Sequence, residues 1–425
     1  MLAVLLGGVL LTLSLQNGDD TAPLHAPPGA TRPSLLVLPF NNLNADPLQD
    51  YFSLGITDDL ITELSGFSGI DVISSRIAFQ YDGAQMDIKT LVKELGVRYV
   101  VEGSLRRNEE QIRINVNMYD AQRGINLWAE QYNRPLASLF DIQDEVRARI
   151  VAALSVKLSE TEHKLVRKRY TNNYYAYDHF LRGQNSLIQR ATAIDNQQAR
   201  EQFEQAVAID PQFARAYAAL AMANADAYRH SWTDAPAAIG RTALQQAEHA
   251  LKLDPDSSHA RLAMCYVLFF VAADLDRAAE MAERTLELDP RHADATMLLG
   301  IINVHAGEYM KAEAYVETGM RLNQNRPSTY FAIGAMISLL QEDYATAYGL
   351  YEQSLLVNPE RLLGKIYITI TLVRMNRLNE ASWYAEEIRE AAPNFDAGQW
   401  ADKQPFRDRR INRQLRDDLR KAGLD

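Results

Sequence analysis

Apolar and polar positions fall into three regimes along this chain. The first runs from Met1 to Gly18, which carries no charge and is dominated by Leu and Val. As a helix rising about 1.5 Å per residue, that stretch would reach about 27 Å, near the short end of a bilayer span. It predicts a transmembrane helix or signal anchor over 1–18. No basic segment precedes it, so a cleaved secretory peptide fits less well, and basic residues do not set the membrane side. Asp19 and Asp20 lean towards the non-cytoplasmic face. Residues 19–33 are rich in Pro, Ala and Gly without apolar period, which predicts a flexible linker.

The second regime, 34–158, alternates strand and helix patterns. Ser34–Phe40 reads as a buried strand. Gly55–Ser65 reads as a helix with Thr57 as N-cap, Asp58 and Asp59 in its first turn, and Ile56, Leu60, Ile61 and Leu64 on one face. A strand over Ile70–Ser74 follows, then a helix carrying Ile88, Leu91, Val92 and Leu95 on one side. Three strands come next, Tyr99–Arg106, Gln111–Tyr119 and Ile125–Tyr132, joined by turn-like links at 108–110 and 121–124. A helix with Leu139, Ile142, Val146, Ile150, Leu154 and Leu158 in register closes an α/β domain with a mixed sheet, in the order β-α-β-α-β-β-β-α.

Several segments of this region resemble one family. They are Leu38–Asn41, Tyr51–Phe52, Gly55–Leu60, Leu95–Arg106 and Leu127–Glu130. Together they resemble the TolB amino-terminal-like domain of bacterial signalling proteins. The resemblance implies an upstream output module, often a class III nucleotide cyclase or a winged-helix DNA-binding domain, and a downstream helical repeat.

The third regime is repetitive. After a helical linker over 159–175, small residues recur where paired helices would cross, and prolines recur near unit ends. Ala199, Phe203, Ala206 and Pro211 mark one unit, and Ala243, Ala247, Ala250 and Pro255 the next. Ala278, Ala312, Ala347 and Ala381 mark later ones. Pro255 and Pro290 are 35 residues apart, and Pro359 and Pro393 are 34 apart. Only Ala or Gly lets helix backbones approach closely, and Pro cannot continue a helix. The period resembles that of tetratricopeptide repeats. Six units are expected over 176–398, the second enlarged near His230–Pro236, with a C-terminal capping helix over 399–425. The fold expected is therefore multidomain: an N-terminal membrane helix, an α/β domain and an all-α tetratricopeptide solenoid.

On that pattern the first helix of each unit lines a concave face. The expected partner-binding groove comprises Tyr266, Phe269, Phe270, Met297, Ile301, His305 and Phe331. It is apolar and aromatic, without the Lys/Asn/Arg set with which chaperone-binding repeats clamp a terminal carboxylate, so an extended or helical apolar segment suits it. Some of these aromatics would equally serve to fill gaps between hairpins.

Composition changes this picture little. Hydrophobic residues at 47% and charged residues at 23% are those of folded material. A formal net charge of -11 argues against nucleic acid as partner. The one cysteine, Cys265, reads as a small core residue. No zinc-type His/Cys spacing, phosphate-cradling glycine loop or nucleophile elbow is present. The Asp58–Asp59 pair is read as helix-start charge, not as a catalytic pair. No catalytic, cofactor or metal residues are assigned. The expected function is a non-enzymatic, membrane-tethered scaffold or sensor with a protein or peptide partner, its soluble domains on the periplasmic side of a bacterial inner membrane. The alternative is the regulatory part of an adenylate cyclase or winged-helix transcriptional regulator whose output domain lies outside this chain.

Overall fold

A computed structural model describes residues 32–425, apart from 45, 74, 82–87, 157–168, 190–191, 289–291 and 323–326. The expected membrane helix over 1–18 and nearly all of the 19–33 linker lie outside the described residues. So does most of the 159–175 connection, whose described part, 169–173, is not helical. Among the described residues, no helix is long and apolar enough to cross a membrane.

The α/β region comprises strands β1 (Ser34–Val37), β2 (Asn41–Asn42), β3 (Asp71–Val72), β4 (Tyr99–Arg107), β5 (Gln111–Asp120) and β6 (Ile125–Pro135). Its helices are α1 (Asp50–Ser65), α2 (Ser75–Ala78), α3 (Ile88–Leu95) and α4 (Leu139–Ala153). The sheet order is β3-β1-β4-β5-β6, with β2 beside β4. β1 runs parallel to β3 and β4, whereas β4, β5 and β6 are antiparallel, so the sheet is mixed. Strand alternation sends Ile112, Ile114, Val116 and Met118 of β5 to one buried face. There they meet the apolar stripes of α1 and α4, including Ile56, Leu60, Ile142 and Ile150.

Helix α1 differs from the sequence expectation. It begins at Asp50, so Thr57, Asp58 and Asp59 lie inside the helix and not at its start. Thr57 is no N-cap: its hydroxyl donates to the Ser53 carbonyl at 2.8 Å and accepts from the Phe40 N–H at 3.0 Å. Gly55, which suggests a boundary in sequence, sits mid-helix because a partner approaches there. A Cβ on Gly55 would come within 2.6 Å of the Leu181 side chain. Glycine's helix penalty of about 1 kcal/mol is the cost of that close packing.

Leu181 belongs to α5 (Tyr174–Gln189), the first helix of the array. The helices that follow are α6 (Ala193–Ile209), α7 (Ala214–Arg229), α8 (Pro236–Leu253), α9 (Ser258–Phe270) and α10 (Leu275–Leu288). Then come α11 (Ala293–Ala306), α12 (Tyr309–Leu322), α13 (Ser328–Leu340), α14 (Tyr344–Val357), α15 (Leu362–Arg374) and α16 (Leu378–Ala391). Among the described residues, α5 to α16 pair in sequence into six hairpins. The marker alanines Ala199, Ala243, Ala278, Ala312 and Ala381 are fully buried where helices meet. Gly307 ends α11 with a φ of 85°, a left-handed cap that glycine adopts without strain. Two further helices, α17 (Ala397–Lys403) and α18 (Arg409–Lys421), complete the chain.

The α/β region and the first hairpins share one continuous core, running from Leu35 through Phe52 and Phe180 to Phe213. Polar groups are buried with it. Arg215 of α7 lies 2.5 Å from Asp59 of α1, with side chains 3% and 4% exposed. The contact is an ion pair by distance, while its angle is too poor for a directed hydrogen bond. The Tyr177 hydroxyl donates to the other Asp59 oxygen at 2.6 Å. Nearer the surface, Arg107 of β4 donates to Asp178 at 2.7 Å and to the Tyr51 hydroxyl at 2.6 Å, and stacks 3.9 Å over Phe52. Removing one member of a buried pair strands the other, at a cost of about 3–5 kcal/mol. Arg215→Ala is therefore expected to destabilise the chain by about that amount. The double replacement Asp59→Leu/Arg215→Met should recover most of the loss. Denaturant unfolding at pH 7 measures both, and an unaltered midpoint for Arg215→Ala would contradict the role of the pair.

Candidate functional site

The seven expected groove residues lie on the first helices of successive hairpins: Tyr266, Phe269 and Phe270 on α9, Met297, Ile301 and His305 on α11, and Phe331 on α13. Adjacent positions on a helix such as Phe269 and Phe270 point about 100° apart, so not every one of them can face the same side, and the structure separates them. Phe269, Met297 and His305 are buried, whereas Tyr266, Phe270, Ile301 and Phe331 are partly exposed. Met297 turns into its own hairpin, where a Cβ on Gly319 of α12 would meet its sulfur at 2.4 Å. Among the described residues, Phe331 takes no part in the ring contacts that join the others.

The remaining aromatics form a continuous run. The Tyr266 and Phe270 ring centroids are 4.5 Å apart, Phe270 and Phe269 are 4.4 Å apart, and Phe269 and His305 are 5.0 Å apart. The run ends on a ring that sequence reasoning did not place there. Phe406, from the link between α17 and α18, stacks on His305 at 4.2 Å with planes 19° apart, and is 1% exposed. The Arg407 N–H donates to the His305 carbonyl at 2.9 Å, and the Arg407 guanidinium pairs with Asp276 of α10 at 2.5 Å. Trp400 packs edge-on to Tyr367 of α15 at 5.5 Å. Lys403 donates to the Ser231 hydroxyl at 2.8 Å and lies 5.5 Å over Tyr228.

The C-terminal segment thus does more than cover the last hairpin. Its helix α18 packs on α15, with Arg374 and Asp418 paired at 2.8 Å. Residues 400–407 return across the first helices and fill part of the expected groove. The sequence signal was the aromatic pair Trp400 and Phe406 flanking Pro405, outside any helical period. Cys265, expected in the core, is buried there, and burial pushes its thiol up to about 12.

His305 is held in its neutral form. Its Nδ1 lies 2.8 Å from the Ile301 carbonyl, so that nitrogen carries the proton and donates. Burial pulls its pKa down to about 4; the Ile301 hydrogen bond opposes this and the Arg229 charge adds to it. Burial likewise lowers His230 to about 3, again with help from Arg229. Between about pH 4 and the ordinary value of 6.5, the unfolded chain binds these protons and the folded chain does not. Stability is therefore full above pH 6.5 and falls as pH drops through that window. For His305 the loss at pH 5 is about 2 kcal/mol. Unfolding midpoints at pH 7 and pH 5 test this, and His305→Gln should shrink the difference between them by the His305 share, leaving that of His230.

Comparisons with known proteins give similarities to both parts of the chain. A model for the second domain of HilA/YgeH-like transcriptional regulators matches residues 31–149. A tetratricopeptide-repeat model matches residues 272–337. A curated relative from Rhizobium meliloti (strain 1021), described as putative adenylate cyclase 3, is 41% identical over 223 residues. The match takes in 52% of this chain and 38% of that relative's length. Among solved structures, PilF of Pseudomonas aeruginosa is 16% identical with a TM-score of 0.37, over 54% of this chain and 96% of its own. TolB from Acinetobacter baumannii is 20% identical with a TM-score of 0.23, over 29% of each chain. The hairpins after the α/β domain form a tetratricopeptide-like solenoid, and residues 31–149 are similar to the second domain of HilA/YgeH-like regulators.

Proposed function

We propose that this chain is a non-enzymatic interaction and sensory module whose solenoid binds a segment of a partner protein on its inner face. The observation that carries the reading is the seating of residues 400–407 across that face. An aromatic side chain stacks on His305 while a neighbouring backbone N–H donates to the His305 carbonyl. A segment in trans would bind by the same means, anchoring aromatics beside main-chain hydrogen bonds. The exposed parts of Tyr266, Phe270 and Phe331 offer it further apolar contact. The α/β domain, joined to the solenoid through a common core, would sense a ligand or relay the bound state.

A regulatory role within a larger signalling protein is the second reading. Its support is the likeness to a relative described as an adenylate cyclase, together with the match to a transcriptional-regulator domain. The TolB amino-terminal-like motifs between Leu38 and Glu130 fit that context as well. In this reading the output activity belongs to a module other than the 425 residues described by the sequence. The apolar run Met1–Gly18 would tether either form to a bacterial inner membrane, with the folded domains on the periplasmic side. Protease shaving of spheroplasts tests that placement: the folded domains should be digested from outside, and full protection would refute it.

The groove is tested by affinity capture from the source cells with the wild-type chain and with a Tyr266→Ala/Phe270→Ala/Phe331→Ala variant. The variant is expected to lose specific partners at least tenfold while keeping its circular dichroism spectrum. Equal recovery of every partner would eliminate the groove as the binding surface.

A further inference from the structure

The mixed sheet ends on two unequal edges. β3 is two residues long, whereas β6 is eleven. A long edge strand presents a row of main-chain groups to which another strand can pair. Among the described residues, β5 is the strand that pairs with β6, and the opposite side of β6 is a sheet edge.

Which groups of β6 face outward follows from its register. The Leu136 N–H donates to the Glu110 carbonyl at 2.8 Å, so Leu136 points towards β5. Main-chain groups alternate sides along a strand, so Arg134, Tyr132 and Glu130 bond β5 as well. The far side of the sheet agrees. The Leu105 carbonyl of β4 accepts from Leu43, away from β5, which makes Arg106–Arg113 a bonded pair and Ile114–Tyr132 the next one across. Ala129, Gln131, Asn133 and Pro135 therefore turn their main-chain groups outward, and all four residues are exposed. Pro135 stands where its missing N–H takes nothing from the ladder. At the other end a bulge at Leu127 breaks the register. Between the two, Ala129, Gln131 and Asn133 each offer an N–H and a C=O.

The side chains decide what fits this edge. Glu130 pairs with Arg149 of α4 at 2.9 Å, and Arg134 with Glu145 at 2.6 Å, and none of the four is buried. If a second β6 is laid antiparallel beside the first, outward positions must meet outward positions, so the twofold axis passes through a residue. An axis at Glu130 sets carboxylate against carboxylate, which is unfavourable. An axis at Gln131 gives neither charge an opposite one. An axis at Tyr132 sets Glu130 opposite Arg134 of the second copy, twice over, and Gln131 opposite Asn133. Glu145, Arg134, Glu130 and Arg149 then alternate in sign across the junction.

We propose that the β6 edge joins two copies of this chain, antiparallel about a twofold axis at Tyr132, into one continuous sheet. The edge is isologous: the same main-chain groups and the same charge pair serve both copies.

Sedimentation equilibrium of the full chain over rising concentration tests this. A reversible monomer–dimer equilibrium is expected, weakened by added sodium chloride because its charge pairs are exposed. Gln131→Pro removes an outward N–H and spares the β5 ladder, so it should weaken the dimer at least tenfold with the melting temperature nearly unchanged. The double variant Gln131→Cys/Asn133→Cys should form intermolecular disulfides on mild oxidation, because Cα atoms of a bonded antiparallel pair lie about 5.5 Å apart. Gln131→Cys alone should not, and the buried Cys265 stays out of the reaction. A chain that is monomeric throughout, its edge left to a foreign strand, would overturn the proposal. So would a Gln131→Pro dimer as tight as wild type, or cross-linking of Gln131→Cys as ready as that of the double variant.

Discussion

A carboxylate and a guanidinium removed from water must find each other, and in this chain they do so across the joint between two folds. Asp59 belongs to the α/β domain and Arg215 to the second hairpin of the solenoid, and neither has solvent to fall back on. Their pairing fixes α1 against α7, and the apolar core closes round it. Gly55 lets α5 approach, and Arg107 locks the outer edge through Asp178 and Tyr51. Either domain alone would expose part of this core and leave one of the charges uncompensated. The joint is thus one packed unit, its core continuous from the sheet into the first hairpins.

Much of this could be read in the sequence. Strict alternation in Gln111–Tyr119 and the apolar stripe of Leu139, Ile142, Val146 and Ile150 depend on local geometry alone. The spacing of alanines and prolines in the array works in the same way. Helix α1 was less legible because a mid-helix glycine looks like a boundary unless its neighbour Leu181 is known. Asp58 and Asp59 were misplaced for the same reason: a first-turn acid and a buried ion-pair partner look alike until Arg215 is seen beside one of them.

The groove was partly legible. Tyr266, Phe270 and His305 do lie along one aromatic run, whereas Met297 fills its own hairpin, a choice set by the size of Gly319 opposite. The return of residues 400–407 was hidden from local reasoning, since Phe406 meets His305 from about a hundred positions away. Lys403 likewise meets Ser231 from 172 positions away, because the solenoid curves back on itself. Such curvature builds up from small rotations between neighbouring units and leaves no local trace. The result is a solenoid whose first helices are already engaged by its own chain, so that in the proposed reading a partner would compete with the seating of residues 400–407.

Native-state hydrogen exchange most directly tests whether the α/β domain and the solenoid form one body. Amides of α1, α5 and α7 should open with a common free energy and lose protection together in rising denaturant. Protection of α5 and α7 persisting after α1 has opened separately would contradict a joint that depends on Asp59 and Arg215.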